Sequence, residues 1–445
     1  MRHILYTTFI AIVMCACSSS DPVAEPQGGG NDSVPTVKPT PTPEYVWTID
    51  SAACYRVARM TIDTEGKKAV TSKEKKDAVN CTITIDADTA AWCATGLTGT
   101  IRGRGNSTWL WYPKKPYRIK LTEKASILGL DKDKDWVLLA NYRDPTNLMN
   151  AFVFELGHIL GMPFTNHSRF VEVTMNGEYL GLYQLTEQVE QGGGRVEVSD
   201  DGGMLISLDV DDGPAESPTA TDNFWSQVYD MPVCVKYPDN PDLTAIKTEL
   251  AVLEKAIQER NYSRVKELLD VQTFMDFVMI QELVYNVELD APRSMYMHRD
   301  TSASATSSTG NKWAMGPLWD FDGGYDFDWS DMYHSHKYFT SYKELVLGTK
   351  PSIHSGTQYQ VPGFFSDLFS QPEFVSDYRS RWETVRDAVY DAWHVTDRYA
   401  AAMTLAAQRD NEQWPIGYTL QTEKARLHEW IINRVNYLDK VIAGY

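Results

Sequence analysis

Positive charge is what this sequence is short of. Against 60 Asp and Glu it carries 42 Lys and Arg, a formal net charge of −18. A general nucleic-acid binder needs a basic face to displace counterions from phosphates, so this balance argues against one. It leaves room for a local basic pocket that takes a single phosphorylated ligand. Cysteine is scarce and unpatterned: the six residues include no C-x-x-C pair, which argues against a zinc site. Beyond the first fourteen residues no apolar run approaches the length of a membrane span. H-E-x-x-H, G-x-S-x-G and P-loop patterns are all missing, as is any internal repeat.

The one apolar run is at the start. Arg2 and His3 precede Ile4 to Met14, a stretch too short for a stable anchor and shaped like the core of a signal peptide. It ends on Cys15-Ala-Cys17, then Ser18-Ser-Ser-Asp21. A small residue before a cysteine and a polar run after it resemble a bacterial lipoprotein cleavage site. Residues 1–17 therefore read as a signal peptide with Cys17 as the lipidated residue; the alternative is an ordinary secretory signal cut slightly later. Residues 18–44, with Gln27-Gly-Gly-Gly30 and Val37-Lys-Pro-Thr-Pro-Thr-Pro43, have the composition of an extended tether. Residues 45–445 form the globular part. The expected location is the cell envelope, lipid-anchored to a membrane on its periplasmic or surface side. Cys54, Cys81, Cys93 and Cys234 then remain, either in one or two disulfides or as buried free thiols.

Along the globular part, 55–64 and 79–86 alternate apolar and polar residues as half-buried strands do. Thr100 to Trp109 predicts a strand running into a glycine-bearing loop, and Lys114 to Leu121 another strand. Asp144-Pro145 marks a helix start leading into Leu148–Leu156. Asn176-Gly177 between Phe170–Met175 and Tyr179–Leu185 predicts a hairpin with a primed turn. After about residue 240 helical spacing takes over, at 243–269, 274–287 and from 363 to the end. Between these, 294–298 and 312–315 read as a hairpin around a polar loop at 301–310. The fold class is α+β, with a β-rich first half and a helix-rich second half around a cleft.

The densest signal is Gly316 to Trp329, GPLWDFDGGYDFDW, with Asp320, Asp322, Asp326 and Asp328 among five aromatic rings. Crowded carboxylates repel one another, and neighbouring rings exclude the water that would screen them; a bound cation removes the conflict. Asp320 and Asp322 are two apart, so in an extended chain they share a face and could hold Mg²⁺. Upstream, Asn286, Glu288 and Asp290 would be brought near by the hairpin. An amide and an acid, then a hairpin, then a second acid is the arrangement of phosphoryl-transfer sites. A solvated acidic loop or a structural Ca²⁺ site is the alternative, although Gly324 stands where an EF-hand loop needs its third acid.

The matching positive charge lies earlier: Arg102, Arg104, Lys114, Lys115, Arg118 and Lys120 fall within nineteen residues. Arg118 and Lys120 should share one face of their strand, with Ile119 on the other. The Arg102-Gly-Arg-Gly-Asn-Ser107 loop offers backbone N–H groups to a phosphate, or is simply a tight turn. Glu155 and His158 form an E-x-x-H pair without a second copy, which reads as structural. Glu187 and Glu190 follow the Asn-Gly hairpin as site acids or as an exposed helix start.

RGRGNSTW, KKPYRIKL, WVLLANYRDPTNLMN, NGEYLGLYQLTEQVE, Asn286 and GPLWDFD, in that order, resemble the spore-coat protein H (CotH) kinase-like family. The lipoprotein start and TIDTEGKKAVTSKE are similar to its versions in Bacteroidetes-type bacteria. The resemblance implies a divergent protein-kinase-like fold. It also implies transfer of the γ-phosphoryl of ATP to Ser or Thr of a protein with Mg²⁺ or Mn²⁺. Carried over, Asp320 is the metal acid with Asp322 beside it, and Asn286 matches the family Asn. Lys120, Arg118, Arg104 and Glu187 fall to the nucleotide. The family's catalytic Asp falls at Glu288 here, with Asp290 two residues further, so either acid could serve. The implied partner is an unknown exported protein. The alternative is a catalytically weak surface-binding or envelope-assembly lipoprotein on the same fold.

Overall fold

Period-two alternation closes the first half into a barrel. Seven strands take part: β1 (Ala58–Thr64), β2 (Val79–Asp86), β3 (Ala94–Gly103), β4 (Tyr117–Ala125), β5 (Asp133–Leu139), β6 (Arg169–Met175) and β7 (Glu178–Glu187). They pair in the order β1-β2-β3-β4-β5-β7-β6. The ring shuts where β1 runs parallel to β6, with Met60 opposite Val173, which leaves no free edge. Met60, Ile62, Ile83, Ile101, Ile119 and Val173 are fully buried inside it. The β6–β7 hairpin turns as its sequence predicts, with Asn176 and Gly177 both left-handed at φ 56° and 92°. The computed structural model describes residues 57–289, 292–300, 311–326, 343–346 and 361–445. Cys17, the segments 1–17 and 18–44, Cys54, Asp290, the loop at 301–310 and Asp328 lie outside the described residues.

A second sheet, absent from the sequence reading except for its hairpin, follows the barrel. It comprises β8 (Met204–Leu208), β9 (Asn223–Trp225), β10 (Pro232–Tyr237), β11 (Met295–Arg299) and β12 (Trp313–Met315), ordered β12-β11-β8-β10-β9. Every residue of β8 is buried, so it shows no alternation to read. β11 and β12 pair antiparallel, Met297 opposite Met315, as the expected hairpin.

Two helices interrupt the barrel strands, α1 (Ser107–Trp111) and α2 (Met149–Leu160). The remaining helices are α3 (Leu243–Gln258), α4 (Tyr262–Leu268), α5 (Val271–Leu283), α6 (Val361–Phe369), α7 (Pro372–Gln413) and α8 (Leu420–Ala443). The expected helical run at 243–269 is broken in two. Arg260 turns left-handed at φ 56°, and the Asn261 side chain then accepts from the Arg264 N–H to start α4. Asp242 and Asp270 cap α3 and α5 in the same way. Nearly all of α5 is buried, which makes it the central helix of the larger core. The long α7 joins that core to the barrel wall: Arg381 pairs with Asp276 of α5 at 2.7 and 2.8 Å, while Asp410 accepts from the Leu182 N–H of β7 at 2.8 Å. The fold is α+β. Cys81, Cys93 and Cys234 are all free, the first and last buried, so no disulfide joins any two of these three. No described helix is long and apolar enough to cross a membrane.

Candidate functional site

Aromatic residues decide where the acidic loop lies. Phe321 and Tyr325 are fully buried in the larger core, each contributing roughly 1.5–3 kcal/mol of burial. Trp319 stacks on Phe154 of α2 at 6.2 Å. Three further contacts clamp the loop to the start of α2. The Phe321 N–H donates to Asn150 Oδ1 at 2.8 Å, the Tyr325 hydroxyl donates to the Met149 carbonyl at 2.8 Å, and Arg143 grips Asp322. Only glycine fits at 324, because a Cβ there would meet the Val284 carbonyl at 2.7 Å. The rings thus anchor the backbone, and Asp320, left-handed at φ 64°, is turned into a cavity.

That cavity has a volume of about 1690 Å³. One part of its lining is basic and includes Arg102, Arg104, Arg118 and Lys120; another part is acidic and includes Glu288, Asp320 and Asp322. The acids crowd one another. Asp320 is close enough to Asp322 for the two carboxyl charges to act on one another. Burial, then the charge of Asp322, pushes Asp320 up to about 7. Burial and then Asp320 raise Glu288 well above the ordinary carboxyl range. Arg143 is the internal counter-charge: its NH2 lies 2.5 Å from Asp322 Oδ1 and its Nε 3.2 Å from Oδ2. Burial alone would lower Arg143; the Asp322 carboxylate overcomes it and the guanidinium is held charged.

The basic part rests on the barrel's outer face. Ile119 points into the barrel while Arg118 and Lys120 point out, as strand alternation requires. Arg102 stands directly across from Arg118 in the β3–β4 register, a like-charge pairing that costs stability unless something offsets it. Asp135 of β5 does so in part: its Oδ1 is 2.6 Å from Arg118 NH2 and its Oδ2 is 3.0 Å from Lys120 Nζ. Arg104 bridges the two parts. Its guanidinium lies 5.2 Å from the centre of the Trp319 ring, and it feels the charge of Asp320.

Some expected site residues lie elsewhere. Glu187 is fully buried and outside the cavity lining. It accepts from the His167 N–H at 2.8 Å and faces His167 Nδ1 at 2.7 Å, so its carboxylate is engaged with His167. Glu190, three residues on, lines the cavity instead. Asn286 is also buried outside the lining; its Oδ1 accepts from the Glu288 N–H at 3.3 Å, so it fixes the turn that carries Glu288. Lys114 binds Asp410 and the Leu182 carbonyl, and Lys115 donates to the Trp109 carbonyl at 2.6 Å. Both therefore have structural partners. His158 meets the Asn166 carbonyl at 3.1 Å and Glu155 accepts from Tyr399, in keeping with a structural E-x-x-H pair. Sequence reading missed the roles of Asp135 and Arg143; Arg143 lies within WVLLANYRDPTNLMN and Asp135 just before it, but neither stands beside its partner in the chain.

The donor set suits a hard cation. Asp320 and Glu288 are carboxylates whose proton affinity is raised by burial and then by crowding, the state a divalent ion relieves. Among the described residues no three His, Cys, Asp or Glu side chains are placed to surround one ion. The protein would therefore supply few ligands and leave the rest to phosphate and water, as Mg²⁺ sites commonly do.

A search of curated proteins returned no match to the chain. A family model does match, over residues 101–438, and its description is CotH kinase protein. The matched span holds the basic strand, the Arg143 loop, Glu288 and the acidic loop. The chain belongs to the CotH kinase protein family.

Proposed function

We propose that this protein is an exported, atypical protein kinase that moves the γ-phosphoryl of ATP to a Ser or Thr hydroxyl of a protein, on a divergent kinase-like fold. The observation that carries this reading is one cavity lined both by Arg102, Arg118 and Lys120 and by Glu288 and Asp320. Arg102, Arg104, Arg118 and Lys120 would hold the triphosphate. Asp320 would hold Mg²⁺ or Mn²⁺, which would supply charge neutralisation for the transferring phosphoryl group. Glu288, whose carboxyl lines the cavity beside Asp320, takes the proton from the acceptor hydroxyl. That oxygen bonds to the γ-phosphorus, the bond from phosphorus to the β–γ bridging oxygen breaks, and ADP leaves. Asp290 is the other candidate for the base and lies outside the described residues. The lipidated Cys17 and the tether at 18–44 would hold the enzyme at the envelope membrane, facing an exported substrate.

A second reading is a catalytically weak binding protein on the same scaffold, favoured by Glu288 in the place of Asp and by the lack of a closed metal-ligand group among the described residues. Purified protein incubated with labelled ATP and Mg²⁺ or Mn²⁺, beside Asp320→Ala, separates the two. Label transferred to the protein itself or to envelope protein, and lost in the variant, supports the kinase. Neither labelling nor a nucleotide-dependent rise in melting temperature with either metal supports the binding protein.

A further inference from the structure

Phosphoryl-transfer sites of the kinase type hold two divalent ions, one of them at an acid of the metal loop and the other shared with a second group. Here the second position is already met by the protein. Both oxygens of Asp322 accept from Arg143, and the same guanidinium acts on Asp320 and on Glu288. The geometry points to Arg143 as a resident cation that does the work of a second metal, so that the site takes one divalent ion, at Asp320. This rests on the phosphotransfer reading above.

Arg143 is built to stay in place. Its side chain is 3 % exposed, and its loop is fixed by the next residue. Asp144 accepts from the Thr146 N–H at 2.8 Å and from the Met149 N–H at 2.9 Å, which locks the loop to the start of α2. The partner side is equally fixed, since Phe321 and Tyr325 on either side of Asp322 are tied to Asn150 and Met149. Guanidinium matches a carboxylate fork in plane and in spacing, so Asp322 is satisfied without metal. Charge agrees with this count. Glu288, Asp320 and Asp322 face Arg143 and, across Trp319, Arg104. The residual charge is small, and one divalent ion shared with a triphosphate is enough to balance it. Arg143 is a positioning residue on this account, because it acts on the ion and the nucleotide through Asp322.

The test counts ions rather than turnover. Mn²⁺ bound to the full-length protein is titrated by electron paramagnetic resonance, with and without a non-hydrolysable ATP analogue. The wild type is expected to bind one ion. Asp320→Asn is expected to abolish it. Asp322→Asn, which alters only a neighbour of the ligand, should weaken Mn²⁺ by about 10–100-fold without abolishing it. Arg143→Ala is expected to admit a second ion at the uncovered Asp322, and Arg143→Lys to restore the single ion. Two ions in the wild type, or equal loss in Asp320→Asn and Asp322→Asn, overturn the inference and leave the kinase reading standing. No Mn²⁺ bound by the wild type at any analogue concentration overturns the kinase reading itself, and this inference with it. Should Arg143→Ala fail to fold, the comparison of the two Asp→Asn variants still decides.

Discussion

Two sets of charge line the same cavity under opposite physical regimes. The basic set sits on the outside of a barrel and runs from half-buried to exposed: the Arg118 side chain is 26 % exposed and that of Lys120 55 %. Water and salt screen such groups, several act together, and each is worth little alone. The acidic set lies in the grip of buried aromatic residues, with Asp322 and Arg143 both buried. There each charge is strong, specific and costly to leave unpaired. The proposed phosphotransfer, which must attract a triphosphate and also act on it, needs both regimes. The exposed set supplies reach, and the buried set supplies fixed geometry.

The comparison can be broken most sharply at Asp320. Asp320→Ala should cut phosphoryl transfer by about 10²–10³-fold, while Lys120→Ala should cost far less. Labelled-ATP assays on the two variants check it, and similar losses would mean that the distinction between the sets is wrong. Next in size is Arg143. Removing one partner of a buried ion pair typically costs about 3–5 kcal/mol, so Arg143→Ala should lower the urea midpoint of unfolding. A companion Arg143→Ala/Asp322→Ala variant should be less destabilised than the two single changes added together, because the pair is coupled.

A smaller effect sharpens the other side. Arg118→Ala or Lys120→Ala should each weaken nucleotide binding by up to about tenfold, the scale of one charge-assisted contact. That loss should shrink as ionic strength rises past about 0.15 M. Titration calorimetry at two salt concentrations measures it. A loss that ignores salt would move these cations into the buried regime.

How far the sequence spoke follows the same division. Strands with one wet face announce themselves, so the Asn176-Gly177 hairpin and the sidedness of Arg118 and Lys120 were legible from alternation alone. β8 is buried on both faces, carries no period, and was missed together with its neighbours β9 and β10. Barrel closure through the parallel β1–β6 pair depends on a contact more than a hundred residues apart in the chain, which no local pattern encodes. In the acidic loop, the motif and the crowding were legible, and so was the need for a counter-charge. The source of that charge was not: Arg143 lies 179 residues from Asp322. The position of Glu187 outside the cavity lining was hidden for a related reason. The strand it ends was clear, but the inward turn toward His167 is a tertiary contact.

Glu190 tests the boundary between the two regimes, because it belongs to the basic neighbourhood yet is partly buried. Its Oε2 lies 3.8 Å from Arg118 NH2; burial first, then the charge of Asp135, pushes its carboxyl from the ordinary 4.5 up to about 7. Between those two values the folded protein holds a proton that the unfolded chain has released, so this group makes stability fall as pH rises. Glu190→Gln removes the titration. The wild type should therefore lose stability relative to the variant between about pH 4.5 and 7, and the gap should stay constant above that range. Scanning calorimetry of both proteins across this window should find the change in melting-temperature difference to be about 2–4 °C. Bound nucleotide sharpens the test further. A triphosphate that draws Arg118 away leaves Glu190 facing Asp135 and the phosphates together, so the upper end of the window should move to higher pH. If it stays where it is, Arg118 remains on its carboxylates and Lys120 alone meets the ligand from that strand.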